Sequence, residues 1–229
     1  MCRDRIHPIS PVIRTGTATP PLDFEGELTE VDAALGHVIA AVVERVGQQR
    51  ITPSRAAPFE ALVRAIVYQS VSGKAAAVIF ARLKQAVGGT VSPAKILGMP
   101  REAIASVGLS KSKSRAVLNL AEWFAANRKT AKALPDLPDE EVVAALTEIA
   151  GIGAWTANVF LIFNLGRLDV MPASDLGIRR GVQLVYGLRD VATPKQVHEK
   201  ALLWRPYRSI ASIYLWNAVK LKIAPDDLT

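Results

Sequence analysis

Apolar residues recur every three or four positions through most of this 229-residue chain, which is the spacing of one face of an α-helix. No segment alternates apolar and polar residues between turn signals, as the strands of a half-buried sheet do. We therefore predict an all-helical fold. One early apolar stripe illustrates the pattern and contains Val31, Leu35, Val38, Ile39, Val42, Val43 and Val46.

Composition excludes several classes of protein. Half of the residues are apolar, so a sizeable core can form without covalent staples. The single cysteine, Cys2, permits neither an internal disulfide nor a cysteine-ligated iron–sulfur cluster, and the three histidines lack the spacing of metal ligands. No apolar run approaches the roughly 18 residues that span a bilayer. The N-terminus also lacks a secretory signal, so we expect an intracellular protein of the cytoplasm or nucleoid.

The charge of the chain favours a polyanionic partner. The formal net charge is +7 and the pI is about 9.7. The excess is uneven, because residues 51–100 hold six basic residues and a single acidic one, Glu60. A generically basic protein would show the same excess, so the charge needs support from motifs.

The most specific motif is a short turn, Gly151-Ile152-Gly153, between two predicted helices. We expect both glycines to adopt positive φ and to let the backbone approach a ligand closely. The first amides of the second helix have no intrahelical acceptor, and the helix dipole adds partial positive charge there. Such a turn suits a phosphate group, although an ordinary helical hairpin can carry the same glycines.

Four segments in order give this hairpin a context. Residues 149–158 resemble the hairpin of the helix-hairpin-helix base-excision DNA glycosylases, and residues 169–180 resemble the segment that carries their catalytic aspartate. Residues 59–72, and residues 204–209 with Trp216, resemble the 3-methyladenine DNA glycosylase II branch. The resemblance covers roughly residues 58–223.

The resemblance implies an all-α fold of two lobes with the active-site cleft between them and no iron–sulfur cluster. Residues 1–26, which are rich in proline, are predicted to form an irregular tail. Residues 27–57 and 168–229 would form a terminal lobe. Residues 58–167 would form a central lobe that ends in the helix-hairpin-helix.

The resemblance makes Asp175 the essential carboxylate. Cleavage of an N-glycosidic bond builds positive charge on the sugar, which a nearby anion stabilises. The helix dipole at the start of a helix favours an ionised Asp175, although a simple N-cap would have the same sequence. Bifunctional members of the superfamily carry a lysine two residues after the second glycine, where this chain has Trp155. The resemblance therefore implies a monofunctional hydrolase that releases alkylated bases such as 3-methyladenine.

The remaining site residues are also carried over from the resemblance. A flipped base would lie in a pocket formed by Trp155, Trp216, Tyr68, Val159 and Leu176. Val159 and Leu176 are aliphatic where relatives often have aromatic residues. DNA contacts are expected from Gly151, Gly153, Ala154, Thr156, Gln69, Ser70, Lys111, Lys113 and Arg179.

Ser70 stands where a bulky residue could fill the gap left by the flipped base, and serine is a poor plug. Gln69 or another loop would then supply the wedge. Arg205 and Arg208 either contact DNA or pair with acids. No cofactor is expected, apart from a sodium or potassium ion at the backbone carbonyls of Ile149 and Ile152.

The expected partner is damaged double-stranded DNA, bound by a monomer. Two alternatives stay open at this level. One is a glycosylase of the same superfamily that acts on uracil, hypoxanthine or an oxidised purine. The other is a catalytically silent helix-hairpin-helix DNA-binding module, which would bind duplex DNA and release no base.

Overall fold

A computed structural model describes residues 23–224 and Asp227, and its regular structure within these residues is entirely helical. The all-helical prediction is confirmed for this part of the chain. No helix among the described residues is long and apolar enough to cross a membrane. Most of the predicted N-terminal tail, residues 1–22, lies outside the described residues.

The described residues divide into two compact units, one of residues 53–165 and one of residues 23–52 with 166–224 and Asp227. We call them the central unit and the terminal unit. The central unit contains α3 (Pro58–Tyr68), α4 (Gly73–Ala86), α5 (Pro93–Leu97), α6 (Arg101–Ser106), α7 (Lys111–Ala126), α8 (Arg128–Ala133), a 3-10 turn (Leu134–Asp136), α9 (Asp139–Thr147) and α10 (Ala154–Phe163). The terminal unit contains α1 (Phe24–Val31), α2 (Ala33–Val46), α11 (Leu176–Val185), α12 (Pro194–Ala201) and α13 (Arg208–Leu221).

In the central unit, α3 packs against α7 and α10, and α10 packs against α9. Their apolar stripes meet in a core to which α3 contributes Leu62 and Ile66 and α7 contributes Val117 and Leu120, each fully buried. The core therefore fixes the hairpin of α9 and α10 against α3 and α7.

Helix α13 is the centre of the terminal unit and packs against both α2 and α11. Its first half is buried on every side, as in a core helix, whereas its second half is partly exposed. Its buried residues are Ser209, Ile210, Ala211, Ser212, Ile213, Tyr214, Leu215 and Ala218.

The start of the terminal unit differs from the sequence expectation. Helix α1 begins at Phe24, inside the segment predicted to be an irregular tail, because the Asp23 carboxylate caps it by accepting from the Gly26 amide at 2.9 Å. The predicted single stripe over 31–46 is also interrupted. Asp32 ends α1 and caps α2, and Val31 is 50% exposed rather than on the core side.

Asp32 also anchors the terminal unit from inside. One carboxylate oxygen accepts from the Leu35 amide at 3.1 Å, and the other accepts from the Trp204 indole at 2.8 Å and from the Tyr186 hydroxyl. Trp204 is fully buried, so this cluster joins the α1–α2 corner to the chain on either side of α12. Burial raises the pKa of the Tyr186 hydroxyl, and the hydrogen bond to the charged Asp32 raises it further.

We predict that Trp204→Phe lowers the free energy of unfolding by about 1–3 kcal/mol, because the buried carboxylate of Asp32 loses a hydrogen-bond donor. Urea denaturation followed by circular dichroism measures the change. Leu203→Ala, next to it and 52% exposed, serves as the control and should cost under about 0.5 kcal/mol. Equal urea midpoints for Trp204→Phe and the unaltered protein would refute the anchoring role.

Candidate functional site

The turn of the helix-hairpin-helix is built against α7. Gly151 has a φ of 96°, and a Cβ added there would lie 2.7 Å from the Cβ of Ala116. Both the backbone conformation and the close approach therefore require glycine. The Asn119 amide, also on α7, donates to the carbonyl of Ala150 at 2.8 Å and ties the turn down.

Gly153 behaves differently from Gly151. Its φ is −103° and its ψ is 174°, so the prediction of positive φ at this glycine is wrong, because extended backbone already joins the turn to α10. A Cβ added at Gly153 would meet no protein atom within 4 Å, and no side chain caps α10. The space beside Gly153 is therefore open and no side chain caps α10, so an anion can approach the N-terminus of this helix.

The carbonyls proposed for a monovalent cation lie in the same turn. The Ile149 carbonyl accepts from the Ile152 amide at 2.9 Å. A carbonyl oxygen has two lone pairs, so one lone pair of Ile149 is left over from this bond. Among the described residues, no group of histidine, cysteine, aspartate or glutamate side chains could hold a metal ion.

Three predicted DNA contacts are engaged inside the central unit. Thr156 is 1% exposed, and its hydroxyl accepts from the Gln69 side-chain amide at 2.8 Å. The Lys113 ammonium donates to the carbonyls of Val67 and Gln69 at 2.8 and 2.6 Å. These side chains thus stabilise the loop after α3, whereas Ser70, Lys111 and Ala154 are exposed.

Asp175 lies at the N-cap of α11 as the sequence predicts. Its Oδ1 accepts from the Ile178 amide at 2.9 Å and from the Trp216 indole nitrogen at 2.8 Å. The residue is 8% exposed. Two donors on one oxygen fix the orientation of the carboxylate, and the bond assigns Trp216 a contact that sequence reasoning did not foresee.

Gly177 makes room for this bond. A Cβ added there would lie 2.8 Å from Trp216 Cδ1 and 2.9 Å from Asp175 Oδ1. Any larger side chain would push the indole or the carboxylate aside. A glycine in the first turn of a helix, where it lowers helix propensity, was the signal available in the sequence.

The segment before Asp175 is held by the start of α13. The Arg208 guanidinium donates to both carboxylate oxygens of Asp169, at 2.6 and 3.0 Å, and to its carbonyl at 2.7 Å. The Ser209 hydroxyl accepts from the Val170 amide at 2.9 Å. Of the two roles left open for Arg208, pairing with an acid is therefore the one observed.

Two other arginines were also candidates for DNA. The Nε of Arg205 lies 4.0 Å from a carboxylate oxygen of Asp169, and its side chain is 59% exposed. Its ion pair with Asp169 is therefore weaker than that of Arg208. Arg179 donates its Nε to the carbonyl of Ala192 at 2.5 Å, which ties α11 to the loop before α12.

The predicted base-pocket residues fall into two sets. Tyr68, Trp155 and Val159 belong to the central unit, and Tyr68 and Val159 line a common cavity of about 40 Å³. Leu176 and Trp216 belong to the terminal unit with Asp175. Leu176 is 46% exposed beside that carboxylate, and both tryptophans are half-buried.

The chain is also similar to known proteins. Residues 63–206 match the HhH-GPD superfamily of base excision DNA repair proteins. DNA-3-methyladenine glycosylase 1 of Schizosaccharomyces pombe is 36% identical over 185 residues, covering 79% of this chain and 81% of that protein. DNA-3-methyladenine glycosylase 2 of Escherichia coli is 30% identical, covering 81% of this chain and 64% of that protein.

Solved structures give the same result. A 3-methyladenine DNA glycosylase of Schizosaccharomyces pombe in complex with abasic DNA has a TM-score of 0.75 at 33% identity, covering 86% of this chain and 96% of that one. A DNA-3-methyladenine glycosidase of Bacillus halodurans has a TM-score of 0.73 at 31% identity, covering 90% and 94%. The family resemblance in the hairpin and Asp175 segments is thereby confirmed: the chain belongs to the HhH-GPD superfamily of base excision DNA repair proteins.

Proposed function

We propose that this chain is a monofunctional DNA glycosylase that releases alkylated bases, such as 3-methyladenine, by hydrolysing their N-glycosidic bond in duplex DNA. The release would be the first step of base excision repair. The observation that carries the proposal is the buried Asp175 carboxylate, held at a helix N-terminus by the Ile178 amide and the Trp216 indole. The names of the relatives support the lesion class.

Asp175 would act through its charge and its fixed orientation. Positive charge develops on the deoxyribose as the glycosidic bond breaks. At about 4 Å and an effective dielectric near 20, one full negative charge stabilises it by about 4 kcal/mol, which is roughly three decades of rate. Because two donors hold the carboxylate before substrate arrives, little reorganisation is needed during the reaction. The same group would orient the attacking water.

The lesion itself supplies part of the driving force. An alkylated purine such as 3-methyladenine is cationic and already a good leaving group, so the reaction needs no general acid. Electron-rich aromatic faces attract cations by about 0.5–2 kcal/mol. Trp155 and Trp216 would offer such faces to the extruded base.

The turn of the hairpin would hold the DNA backbone. The open space in front of Gly153 and the dipole of α10 suit a phosphate, and the exposed Lys111 at the start of α7 would add a charge contact. A sodium or potassium ion at the carbonyls of Ile149 and Ile152 could bridge to the same phosphate. The protein would act as a monomer, inside the cell, without any other cofactor.

We predict that Asp175→Asn lowers the single-turnover rate of 3-methyladenine release from duplex DNA by about a thousandfold, because the charge is lost. The asparagine carbonyl can still accept from Ile178 and Trp216, so the fold should persist. Released base is measured by chromatography. Asp190→Asn, an exposed carboxylate in the same unit, makes the same change in net charge and serves as the control.

Undiminished release by Asp175→Asn would remove this residue from the chemistry. A panel of duplexes containing uracil, hypoxanthine or 8-oxoguanine tests the lesion class in parallel. If the unaltered protein binds duplex DNA and releases no base from any of them, it is a silent binding module.

We also predict that borohydride reduction traps no covalent complex with substrate DNA. Trp155 provides no amine where a lyase needs one, so no Schiff base should form. The abasic product should stay uncut until alkali is added. A borohydride-stable band of protein and DNA on a denaturing gel would instead identify a lyase.

The two hairpin glycines provide a further prediction. Gly153→Ala should cost under about 1 kcal/mol of stability, yet weaken duplex affinity about tenfold, because the new methyl group would occupy the approach of the phosphate. Gly151→Ala should instead destabilise the fold by about 1–3 kcal/mol or more, since its φ is 96°. Urea denaturation and fluorescence anisotropy measure the two quantities. Unchanged affinity in Gly153→Ala would argue against the phosphate site.

A further inference from the structure

The loop between α3 and α4, residues 69–72, presents an exposed residue in a costly conformation. Ser70 has a φ of 52°, in the left-handed region that a residue other than glycine rarely adopts. Such a conformation persists only when the surrounding structure imposes it. The groups that hold this loop therefore matter for what it presents.

Lys113 is the first of these groups. Its ammonium reaches from the first turn of α7 to the carbonyls of Val67 and Gln69, at 2.8 and 2.6 Å. Both carbonyls belong to the end of α3, where backbone acceptors lack helical partners and positive charge is favourable. Partial burial lowers the pKa of Lys113, which fits an ammonium turned toward the protein.

Thr156 is the second group that holds this loop. Its buried hydroxyl, on α10, accepts from the Gln69 side-chain amide at 2.8 Å. At its other end, the loop closes with Ser72, whose hydroxyl caps α4 by accepting from the Ala75 amide at 3.3 Å. The loop is thus fixed to α7, to the second helix of the hairpin and to α4, all within the central unit.

We infer that Lys113 is a positioning residue that holds the loop of residues 69–72 in the shape with which it meets duplex DNA during base extrusion. The inference rests on the proposed glycosylase function. In it, Lys113 has a positioning role instead of the phosphate contact that the basic sequence around it suggested. Two of the three ammonium protons are donated to backbone carbonyls, whereas Lys111, two residues earlier, is exposed. Lys111 therefore keeps the role of phosphate contact.

The salt dependence of duplex binding separates the two roles. A phosphate contact contributes about 0.9 to the slope of log affinity against log salt concentration. We expect Lys111→Met to reduce this slope by about one, while Lys113→Met leaves it unchanged. Both variants remove one charge from the same turn of α7, so they form a matched pair.

Base extrusion provides the second readout. In Lys113→Met we expect single-turnover release from a paired lesion to fall about tenfold or more, because the loop helps to offset the cost of unstacking. Release from the same lesion in an unpaired bulge should fall much less. Lys113→Arg, which can donate to the same carbonyls, should restore most of the rate. Thermal unfolding checks each variant, and Lys113→Gln, a shorter neutral donor, is measured if Lys113→Met does not fold.

Fluorescence of 2-aminopurine beside the target site reports extrusion without any bond cleavage, and Lys113→Met should weaken that signal. If the unaltered protein releases no base but the signal still depends on Lys113, the proposed function fails and the positioning role stands. The positioning role is overturned if Lys113→Met lowers the salt slope as Lys111→Met does. It is also overturned if release from paired and bulged lesions falls equally, or if neither release nor fluorescence changes.

Discussion

The bond from the Trp216 indole to Asp175 is the interaction on which the candidate chemistry depends. A carboxylate that is 8% exposed needs partners, and two donors on Oδ1 provide them while fixing its orientation. The bond in turn requires Gly177, because any larger side chain would meet both groups. A tryptophan expected only to line a base pocket therefore also sets the geometry of the charged group.

Helix α13 extends this control along the chain. Its first residues bind the backbone and carboxylate of Asp169 and the amide of Val170, and Trp216 further along it binds Asp175. The segment of residues 169–175 is thus attached to one core helix at both ends. Because residues 209–215 of α13 are all buried, the position of the carboxylate is tied to the packing of the terminal unit.

The central unit fixes its hairpin and the loop after α3 by other contacts. Gly151 packs closely against Ala116 of α7, whereas a Cβ at Gly153 would meet open space, so the two glycines of one motif have different surroundings. An ammonium and a hydroxyl bind the loop after α3. Directional polar bonds of this kind can hold a strained backbone such as that of Ser70.

The sequence by itself determined the helices, the hairpin, the family and the place of Asp175 at a helix start, because periodicity, turn glycines and caps are local signals. It failed at the φ of Gly153 and at the interruption of the first stripe by Asp32, and it did not reveal the bonds that Thr156 and Lys113 make inside the protein. Only the tertiary structure decided which polar groups meet. The Trp216–Asp175 bond joins residues 41 positions apart, and the bond from Lys113 to the Gln69 carbonyl joins residues 44 apart. Such pairs follow from how helices pack, which no local pattern encodes.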